Sequence, residues 1–429
     1  MSKSPDIALI PSGYKESPST LYTILPNDGS QDFGVIRTGN ATRVRKDGLI
    51  EEVSSNVPRL DWLNTNCPSV LTEAERVNRL RNSEDLSNTS YSKVGITVTT
   101  DQIISPSGEL KADKITRTST SANYVSSGAT KSSATQMDVN FSLFVKQGEG
   151  DYFAMRMQGA YPQRGEAIYQ FSTNTITTSI PGTNPTNTFS FIKKKVENYG
   201  NGWYRLSVTF NTDANTTVSG LFSPRSTSGT IDANDTSSTA FAYVWGCQIE
   251  EGTGATSYIP TTSQIATRNL DNLECTTAYT LGENVTLFFD FEAYSFDGNF
   301  KSTFLIRDSG FQDFFDLISY ESGGQYYFRS RFSVGGQTIY LINFGEILLP
   351  FYSRNKFAVR ITNGQLYEVY VNGVSVKTGD LGGVANILKG INIQNDFGNS
   401  TERASTKLYD FRVYNQALTT TEALNLTIW

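Results

Sequence analysis

Two acidic residues on one alternating segment form the best arrangement in this sequence for acid–base chemistry. Asp290 and Glu292 lie two residues apart in VTLFFDFEAYS, where the alternation of apolar and polar residues predicts a β-strand. Side chains two apart on a strand share a face at roughly 7 Å, a separation that paired carboxylates can use to hydrolyse glycosidic bonds. The alternate residues Val285, Leu287, Phe289, Phe291 and Ala293 form the core side, so we expect both acids on the outward or cleft side.

The remaining groups that such chemistry needs are missing from the sequence. There is no histidine, which removes the commonest general base, the commonest transition-metal ligand and the usual partner of Ser and Cys nucleophiles. An acid/base strand of the Glu-x-Asp-x-Glu type would also need a carboxylate at position 288, where the sequence has Phe288. The sequence therefore predicts no catalytic residue and a protein that is not an enzyme. The alternative is a polysaccharide depolymerase that uses Asp290 and Glu292.

Aromatic residues beside acids and amides favour a second kind of site, one that binds sugars. The apolar face of a pyranose stacks on an aromatic ring while its hydroxyls bond to carboxylates and amides. The chain has 22 Tyr and 26 Phe, and most of these are expected to be ordinary strand residues. The carbohydrate-binding candidates, with Asp290 and Glu292, are Tyr152, Tyr161, Tyr326, Tyr327, Asn395, Asp396 and Asn399.

Two loops could offer oxygen ligands to calcium, through Asp297, Asn299 and Asp396. Asx-Gly turns use the same residues without a metal, so the prediction is no metal and no cofactor, with calcium as the alternative.

The three cysteines are odd in number, widely spaced and form no CxxC motif. They are predicted to be unpaired thiols of a reducing compartment.

The charge balance argues against nucleic acid as a partner. The net charge is −6 and the pI about 5.1, which leaves no basic surplus to neutralise phosphates.

The first residues contain no apolar run of signal-peptide length, and nowhere do 18 apolar residues occur together. We therefore expect a protein that is made in a cytoplasm and is not inserted into a membrane.

The elements that would position these residues are mainly β-strands, and 429 residues suggest two or three domains. Residues 1–63 are punctuated by Pro and Gly and cannot bury much of themselves, which predicts an extended attachment or oligomerisation segment. Residues 64–90 are predicted to be a short helical neck or linker. A helix is predicted for residues 69–82 from the apolar stripe of Val70, Leu71, Ala74, Val77 and Leu80, and Thr72 with Glu75 could form its capping box. The alternatives are a packing helix and a coiled trimer neck.

The rest of the chain predicts two antiparallel β-sandwiches. Residues 91–266 alternate strand signals with Gly, Ser, Thr and Asn loops, as in a jelly roll. In residues 267–429, Asn363-Gly364 and Asn372-Gly373 separate three alternating strands, which predicts a meander with tight turns. Near the end, Thr419 and Glu422 have the spacing of a capping box for a short helix.

A family resemblance is carried first by the segments TRVRKDGLIEEV, NVPRLDW, LTEAERVN and NSEDLSN. They resemble the N-terminal signature of a group of phage fibre, tail and head-decoration proteins, in which a Glu, an Arg and an Asn precede a Ser-Glu-Asp turn. Glu73, Arg76 and Asn78 match the first part, and residues 83–85 match the turn. The sequence departs from the common form, which has Pro-Gln after the Glu, so the local packing of this segment stays open.

Two further patches follow in the order typical of such proteins. The stretch from SKVGITVTT through NGWYRLSVTF to VWGCQIEEGTGATSYIPTTSQIATR is similar to carbohydrate-binding-module-like jelly rolls. The stretch LYDFRVYNQALTTTEALNL resembles the usual ending of concanavalin A-like, laminin-G-type sandwiches.

The resemblance implies a structural protein of a bacteriophage virion, assembled in the host bacterial cytoplasm. In such a head or tail fibre or decoration protein, residues 1–90 would bind other virion proteins of the capsid or tail. The chains would form a homotrimer, and the lectin-like domains would be displayed for adhesion to host-surface or mucosal glycans.

Overall fold

The structure is a computed structural model. It describes residues 3–11, 16–17, 20–181, 187–295, 301–307, 314–322, 325–334, 336–343, 347–349, 353–381, 391–394 and 404–429. The candidate residues Asp297, Asn299, Asn395, Asp396 and Asn399 lie outside these ranges. Within them, no helix is long and apolar enough to cross a membrane.

Nearly all regular structure in the described residues is β-strand. The strands of the first part of the chain are β1 Ile7–Leu9, β2 Glu16–Ser17, β3 Thr20–Leu21, β4 Phe33–Ile36, β5 Ala41–Val44, β6 Ile50–Val53, β7 Leu60–Asp61, β8 Ser69–Thr72, β9 Arg76–Asn78, β10 Ser92–Val94, β11 Ile96–Ile104, β12 Leu110–Arg117, β13 Tyr124–Thr130, β14 Asp138–Glu149, β15 Tyr152–Gln158, β16 Arg164–Gln170, β17 Thr175–Ser179, β18 Ser190–Asn198, β19 Trp203–Asn211, β20 Thr217–Arg225, β21 Phe241–Glu251 and β22 Ala266–Arg268. The elements that follow are β23 Asn272–Tyr279, β24 Val285–Ser295, β25 Lys301–Arg307, β26 Phe314–Ser322, β27 Gln325–Val334, β28 Gln337–Ile342, β29 Leu348–Leu349, β30 Arg354–Thr362, β31 Leu366–Val371, β32 Val374–Asp380, β33 Ile391–Gln394, β34 Ser405–Tyr414 and the helix α1 Thr420–Leu426.

The chain forms two compact units that alternate along the sequence. Unit 1 comprises Met1–Asn40, Val53–Glu75 and Asn269–Trp429, and unit 2 comprises Ala41–Glu52 and Arg76–Arg268. Residues 1–63 are therefore not one separate segment, because β1 pairs with β34 and β4 with β23, while β5 and β6 pair within unit 2. Ile7, Leu9, Phe33 and Val35 of this segment are buried in the core of unit 1. The attachment role of residues 1–90 stays a prediction.

Unit 1 is an antiparallel β-sandwich. One sheet has the order β32-β31-β30-β24-β34-β8-β7 with β1 beside β34, and the other has the order β2-β3-β4-β23-β33-β25-β26-β27-β28 with β29 beside β27. Both sheets contribute to one hydrophobic core, in which Phe289 packs against Phe304, Phe315 and Phe411 with ring centroids 4.8, 5.8 and 5.2 Å away. The predicted mainly β class with two antiparallel sandwiches is confirmed for both units.

The predicted hairpins and final helix are present in unit 1. Asn363, Gly364, Asn372 and Gly373 all have positive φ, as tight primed turns require, and they join β30, β31 and β32. The cap of α1 is a capping box, in which the Thr419 hydroxyl accepts from the backbone N–H of Glu422 and the Glu422 carboxylate accepts from the backbone N–H of Thr419.

The helix predicted around residues 69–82 is wrong. This segment forms β8, which pairs with β7 and β34, and β9, which pairs with β22. All residues from Ser69 to Ala74 are buried, which a helix with one polar face cannot achieve. The apolar spacing of three and four is therefore incidental, because tertiary pairing overrides a short periodic pattern.

A buried cluster of ion pairs joins distant segments of unit 1. Arg59 is 1% exposed, and its guanidinium donates to Glu73 Oε2 at 2.6 Å and also to Asp271. Arg37 donates to Asp271 Oδ1 at 2.8 Å, and the Tyr294 hydroxyl donates to Glu73. Burial alone would lower the pKa of Arg59, but the charges of Asp271 and Glu73 outweigh it and raise this pKa. The guanidinium therefore stays charged inside the unit.

Replacement of Arg59 by Met is expected to destabilise the protein by about 3–5 kcal/mol, because it leaves buried carboxylates without their cation. Urea denaturation of the variant and the parent protein would measure this. Arg45→Met is the control, since the Arg45 side chain is 47% exposed and its ion pairs are solvated. A loss for Arg59→Met no larger than that of the control would contradict the assigned role.

Unit 2 is also an antiparallel sandwich, with sheets of order β10-β13-β20-β15-β16-β17 and β11-β12-β21-β14-β19-β18. Its core includes Phe141, Phe153, Leu206 and Phe222, and Trp203 and Trp245 are buried as well. Cys67, Cys247 and Cys275 are free thiols, as predicted.

The segment after β9 is held to unit 2 by its polar groups. The Asn78 amide donates to the carbonyls of Cys247 and Ile259, and the hydroxyls of Ser83 and Tyr258 lie 2.7 Å apart. Asp113 then accepts from the backbone N–H of Leu86 at 2.8 Å. Asn78 and Ser83, two of the residues that match the phage signature, are thus buried structural contacts in this unit.

The pKa of Asp113 is raised to about 6, because burial outweighs the hydrogen bonds that it accepts from two backbone N–H groups. Between about pH 4 and 6 the folded protein holds a proton that the unfolded chain has released, so the stability from this group is complete below about pH 4 and is lost as pH rises to 6. We expect the free energy of unfolding of the parent protein to fall by about 2 kcal/mol across this range relative to Asp113→Asn, less than the full shift would give because water screens part of the effect. Urea denaturation at a series of pH values measures it, with Glu149→Gln at an exposed position of unit 2 as control. A constant difference would refute the assignment.

Candidate functional site

The site begins with the two acids on β24. Asp290 and Glu292 lie on the face of the sheet opposite the core, as the alternation predicted, because Leu287, Phe289 and Phe291 are core residues. The pairing of β24 with β30 on one side and β34 on the other places side chains of three strands around these acids.

The C-terminal helix divides this outer face into two parts. Phe288, Ala358, Tyr370 and Tyr414 form an apolar cluster with Leu418 and Ala423, so that part of the sheet is covered by α1 and the residues before it. Phe288 stands where an acid/base strand would need a carboxylate, and its side chain packs in the cluster beneath the helix. The other part of the face carries polar and aromatic side chains.

Asp290 is held by an arginine from the neighbouring strand. Arg354 donates through Nε to Oδ1 and through Nη2 to Oδ2, both at 2.6 Å, and Asp290 is only 3% exposed. Burial lowers the pKa of Arg354, but the hydrogen bond and the charge of Asp290 raise this pKa by a larger amount, so the net shift is upward. Both carboxylate oxygens are therefore bonded within the chain, and Asp290 positions Arg354 rather than facing a ligand.

Aromatic rings surround Arg354 on its other sides. The Arg354 Cζ atom lies 4.0 Å from the centroid of the Tyr409 ring and 5.7 Å from that of Trp429, and Lys356 Nζ lies 4.8 Å from the Trp429 centroid. Lys356 Nζ also donates to the carbonyl of Ile428 at 2.7 Å, which holds the end of the chain against the sheet. Trp429 nevertheless remains 65% exposed. We refer to Glu292, Arg354, Lys356, Tyr409 and Trp429 as the aromatic face.

Tyr409 reaches the aromatic face because of an irregularity in β34. The register between β24 and β34 shifts after Asp290, which pairs with Asp410, so that Phe291 pairs with Leu408 and Tyr409 is the extra residue. Its hydroxyl donates to Glu292 Oε2 at 3.4 Å. Burial raises the pKa of Tyr409 to about 12, with an opposing effect of Lys407 and a further increase from Glu292. Tyr409 is therefore a neutral phenol at neutral pH.

These residues provide the groups that a sugar site requires. An exposed indole offers a flat apolar surface, and Glu292, which is half-buried, offers carboxylate oxygens for hydroxyls. Arg354 and Lys356 add donors beside the ring. Sequence reasoning found Asp290 and Glu292 but missed Arg354, Tyr409 and Trp429, since only the strand pairing and the bulge bring them together.

The other candidates from the sequence do not join this group. Tyr161 of unit 2 is 72% exposed, with Arg164 Cζ 5.1 Å from its ring centroid, and Tyr152 and Tyr327 are half-buried on their own strands. The backbone of Tyr326 belongs to β27, and its side chain is not described. Among the described residues, no group of three or more His, Cys, Asp or Glu side chains could hold a metal ion.

Comparison with known proteins assigns no family to the chain. No protein-family model and no curated protein matches the sequence. Similar solved structures include a heptameric SAP-like pentraxin from Limulus polyphemus, with 19% identity, coverage of 34% of this chain and 70% of that chain, and a TM-score of 0.28. The CBM40 of the Ruminococcus gnavus IT-sialidase, bound to α2,3-sialyllactose, has 15% identity, covers 35% and 84%, and has a TM-score of 0.29.

Domain 4 of an extracellular arabinanase from Geobacillus stearothermophilus, in complex with arabinotriose, has 12% identity, covers 41% and 82%, and has a TM-score of 0.31. At scores below 0.5 these likenesses assign neither a family nor a ligand to the chain.

Proposed function

We propose that this protein binds glycans through the aromatic face of unit 1 and does not cleave them. The observation that carries the proposal is the Trp429 ring, which is 65% exposed although Arg354 and Lys356 fix its position. A ring that is held in place but accessible loses little conformational freedom when a pyranose stacks on it. Large exposed aromatic side chains on a soluble protein otherwise carry a cost, because they remain in contact with water.

The polar groups around the ring support the same function. Glu292 accepts hydrogen bonds from sugar hydroxyls, and Arg354 and Lys356 donate hydrogen bonds to ring and hydroxyl oxygens. Asp290, the other half of the predicted acid pair, has both oxygens bonded to Arg354. This favours recognition over hydrolysis, and Glu292 is the one carboxylate among the five residues of the face.

Removal of the Trp429 ring is expected to weaken binding. Trp429→Ala should reduce the affinity for the best ligand from a glycan array about fivefold or more, since stacking on an aromatic ring contributes about 1 kcal/mol. Isothermal titration measures the affinity. Tyr340→Ala is the control, because Tyr340 is also an exposed aromatic residue of unit 1 (42%) and lies outside the aromatic face.

Equal losses for both variants, or no ligand on the array, would refute the glycan-binding proposal. Release of oligosaccharide products from a bound polysaccharide would show that the protein is a depolymerase instead.

We further propose that the protein is a virion component, a head or tail fibre or decoration protein that presents the aromatic face to host-surface or mucosal glycans. The support is the resemblance of residues 42–87 to the phage signature and the order of the two β-sandwich modules. Residues 1–90 would bind capsid or tail proteins, and the chains would associate as a homotrimer.

Electron microscopy of virions labelled with an antibody to residues 404–429 tests the virion role. Label at a regular position on the capsid or tail is the expected result, and unlabelled particles would refute the virion role.

Light scattering on the purified protein tests the trimer, for which a mass three times that of the 47.4 kDa chain is expected. A monomer at micromolar concentration would contradict the fibre proposal.

A further inference from the structure

A groove of about 560 Å³ runs along one edge of a sheet in unit 2. Its lining residues are Arg79, Arg81, Ser90, Ser127, Gly128, Thr130 and Ile265. The groove lies beside β13, an antiparallel neighbour of β10 and β20. β10 pairs with Tyr124–Ser126 and ends there. Among the described strands, the remainder of β13 therefore has a paired neighbour on the β20 side alone.

The backbone of β13 presents hydrogen-bonding groups to this groove. In an antiparallel pair, successive residues direct their N–H and C=O groups to opposite sides of the strand. The N–H of Lys131 donates to the Thr216 carbonyl on the β20 side, so Gly128 and Thr130 direct their groups to the open side. The Thr130 carbonyl confirms this direction, since it accepts from Arg79 Nη1 at 3.0 Å. Within the described residues, no partner occupies the N–H and C=O of Gly128 or the N–H of Thr130.

The side chains of the groove indicate the chemistry of its occupant. Arg79 is paired with Glu251 at 2.9 Å, but Arg81 is exposed and has no partner in the described part of the chain. Ile265 is 48% exposed on the wall. In a chain of net charge −6, an arginine without a carboxylate partner favours an acidic ligand. The described lining contains no aromatic ring, which distinguishes this groove from the sugar site of unit 1.

We propose that the groove binds an extended peptide with an acidic side chain, which adds as a strand to β13 where β10 ends. The peptide backbone pairs with the N–H and C=O of Gly128 and with the N–H of Thr130. Its carboxylate pairs with Arg81, and an apolar side chain covers Ile265. Main-chain pairing supplies affinity in this mode, and the side-chain contacts supply specificity. The proposal is independent of the glycan site, since it concerns only unit 2.

Fluorescence anisotropy with the labelled probe peptide Thr-Val-Glu-Val-Thr tests the proposal on the full chain. Two versions of the probe, N-methylated on alternate backbone nitrogens, provide the decisive comparison. Only one edge of an added strand faces β13, so one version is expected to lose binding and the other to keep it. Hydrogen exchange in the fragment that contains Gly128 and Thr130 is expected to slow when the unmodified probe is added.

Charge reversal tests the role of Arg81. Arg81→Glu is expected to weaken binding of the probe about fivefold or more. Lys46→Glu, at an exposed position of unit 2 outside the groove, should have little effect. The proposal is overturned if the probe does not bind, if both methylated versions bind equally, or if the two charge reversals have the same effect.

Discussion

The burial of Arg59 between Glu73 and Asp271 is the interaction on which the architecture of unit 1 depends. Arg59 and Glu73 lie in the stretch Val53–Glu75, whereas Asp271 lies in a later stretch, 212 positions from Arg59 in sequence. A guanidinium removed from water is stable only when its charge and donors are satisfied, so these stretches must meet in one geometry. Backbone groups join the same residues. The Glu73 N–H donates to Asp271 Oδ2, and the Asp271 N–H donates to the Glu73 carbonyl, both at 2.9 Å.

The aromatic face follows from this constraint through the order of the strands. The chain between Arg59 and Glu73 forms β7 and β8, and β8 pairs with β34. β34 carries Tyr409 and lies beside β24, which in turn lies beside β30 with Arg354 and Lys356. The buried ion pairs thus stabilise one edge of the sheet whose centre displays the proposed ligand-binding residues. The buried charges around Arg59 thus stabilise the sandwich, whereas the partly exposed charges of the aromatic face are the ones proposed to bind a ligand.

Local patterns in the sequence predicted those parts of the fold that depend on neighbours in the chain. The two Asn-Gly turns, the alternation of β24 and the capping box of α1 are of this kind. The helix predicted at residues 69–82 failed because β8 is buried on both faces, which depends on partners more than 300 residues away. The interleaving of the two units also has no local signal, since residues 41–52 belong to unit 2 while the stretches on either side belong to unit 1. Trp429 was missed because it lies outside any strand, and its position depends on Lys356 and Arg354.

The central claim is that a saccharide stacks on Trp429, and the indole N–H signals of the protein test it most directly. The chain has four tryptophans, of which Trp203 and Trp245 are buried in unit 2. In a proton–nitrogen correlation spectrum, titration with the best glycan-array ligand should move the Trp429 signal, assigned through its loss in Trp429→Ala, and leave those of Trp203 and Trp245 in place. A spectrum in which the Trp429 signal stays unchanged at saturating ligand would contradict the account.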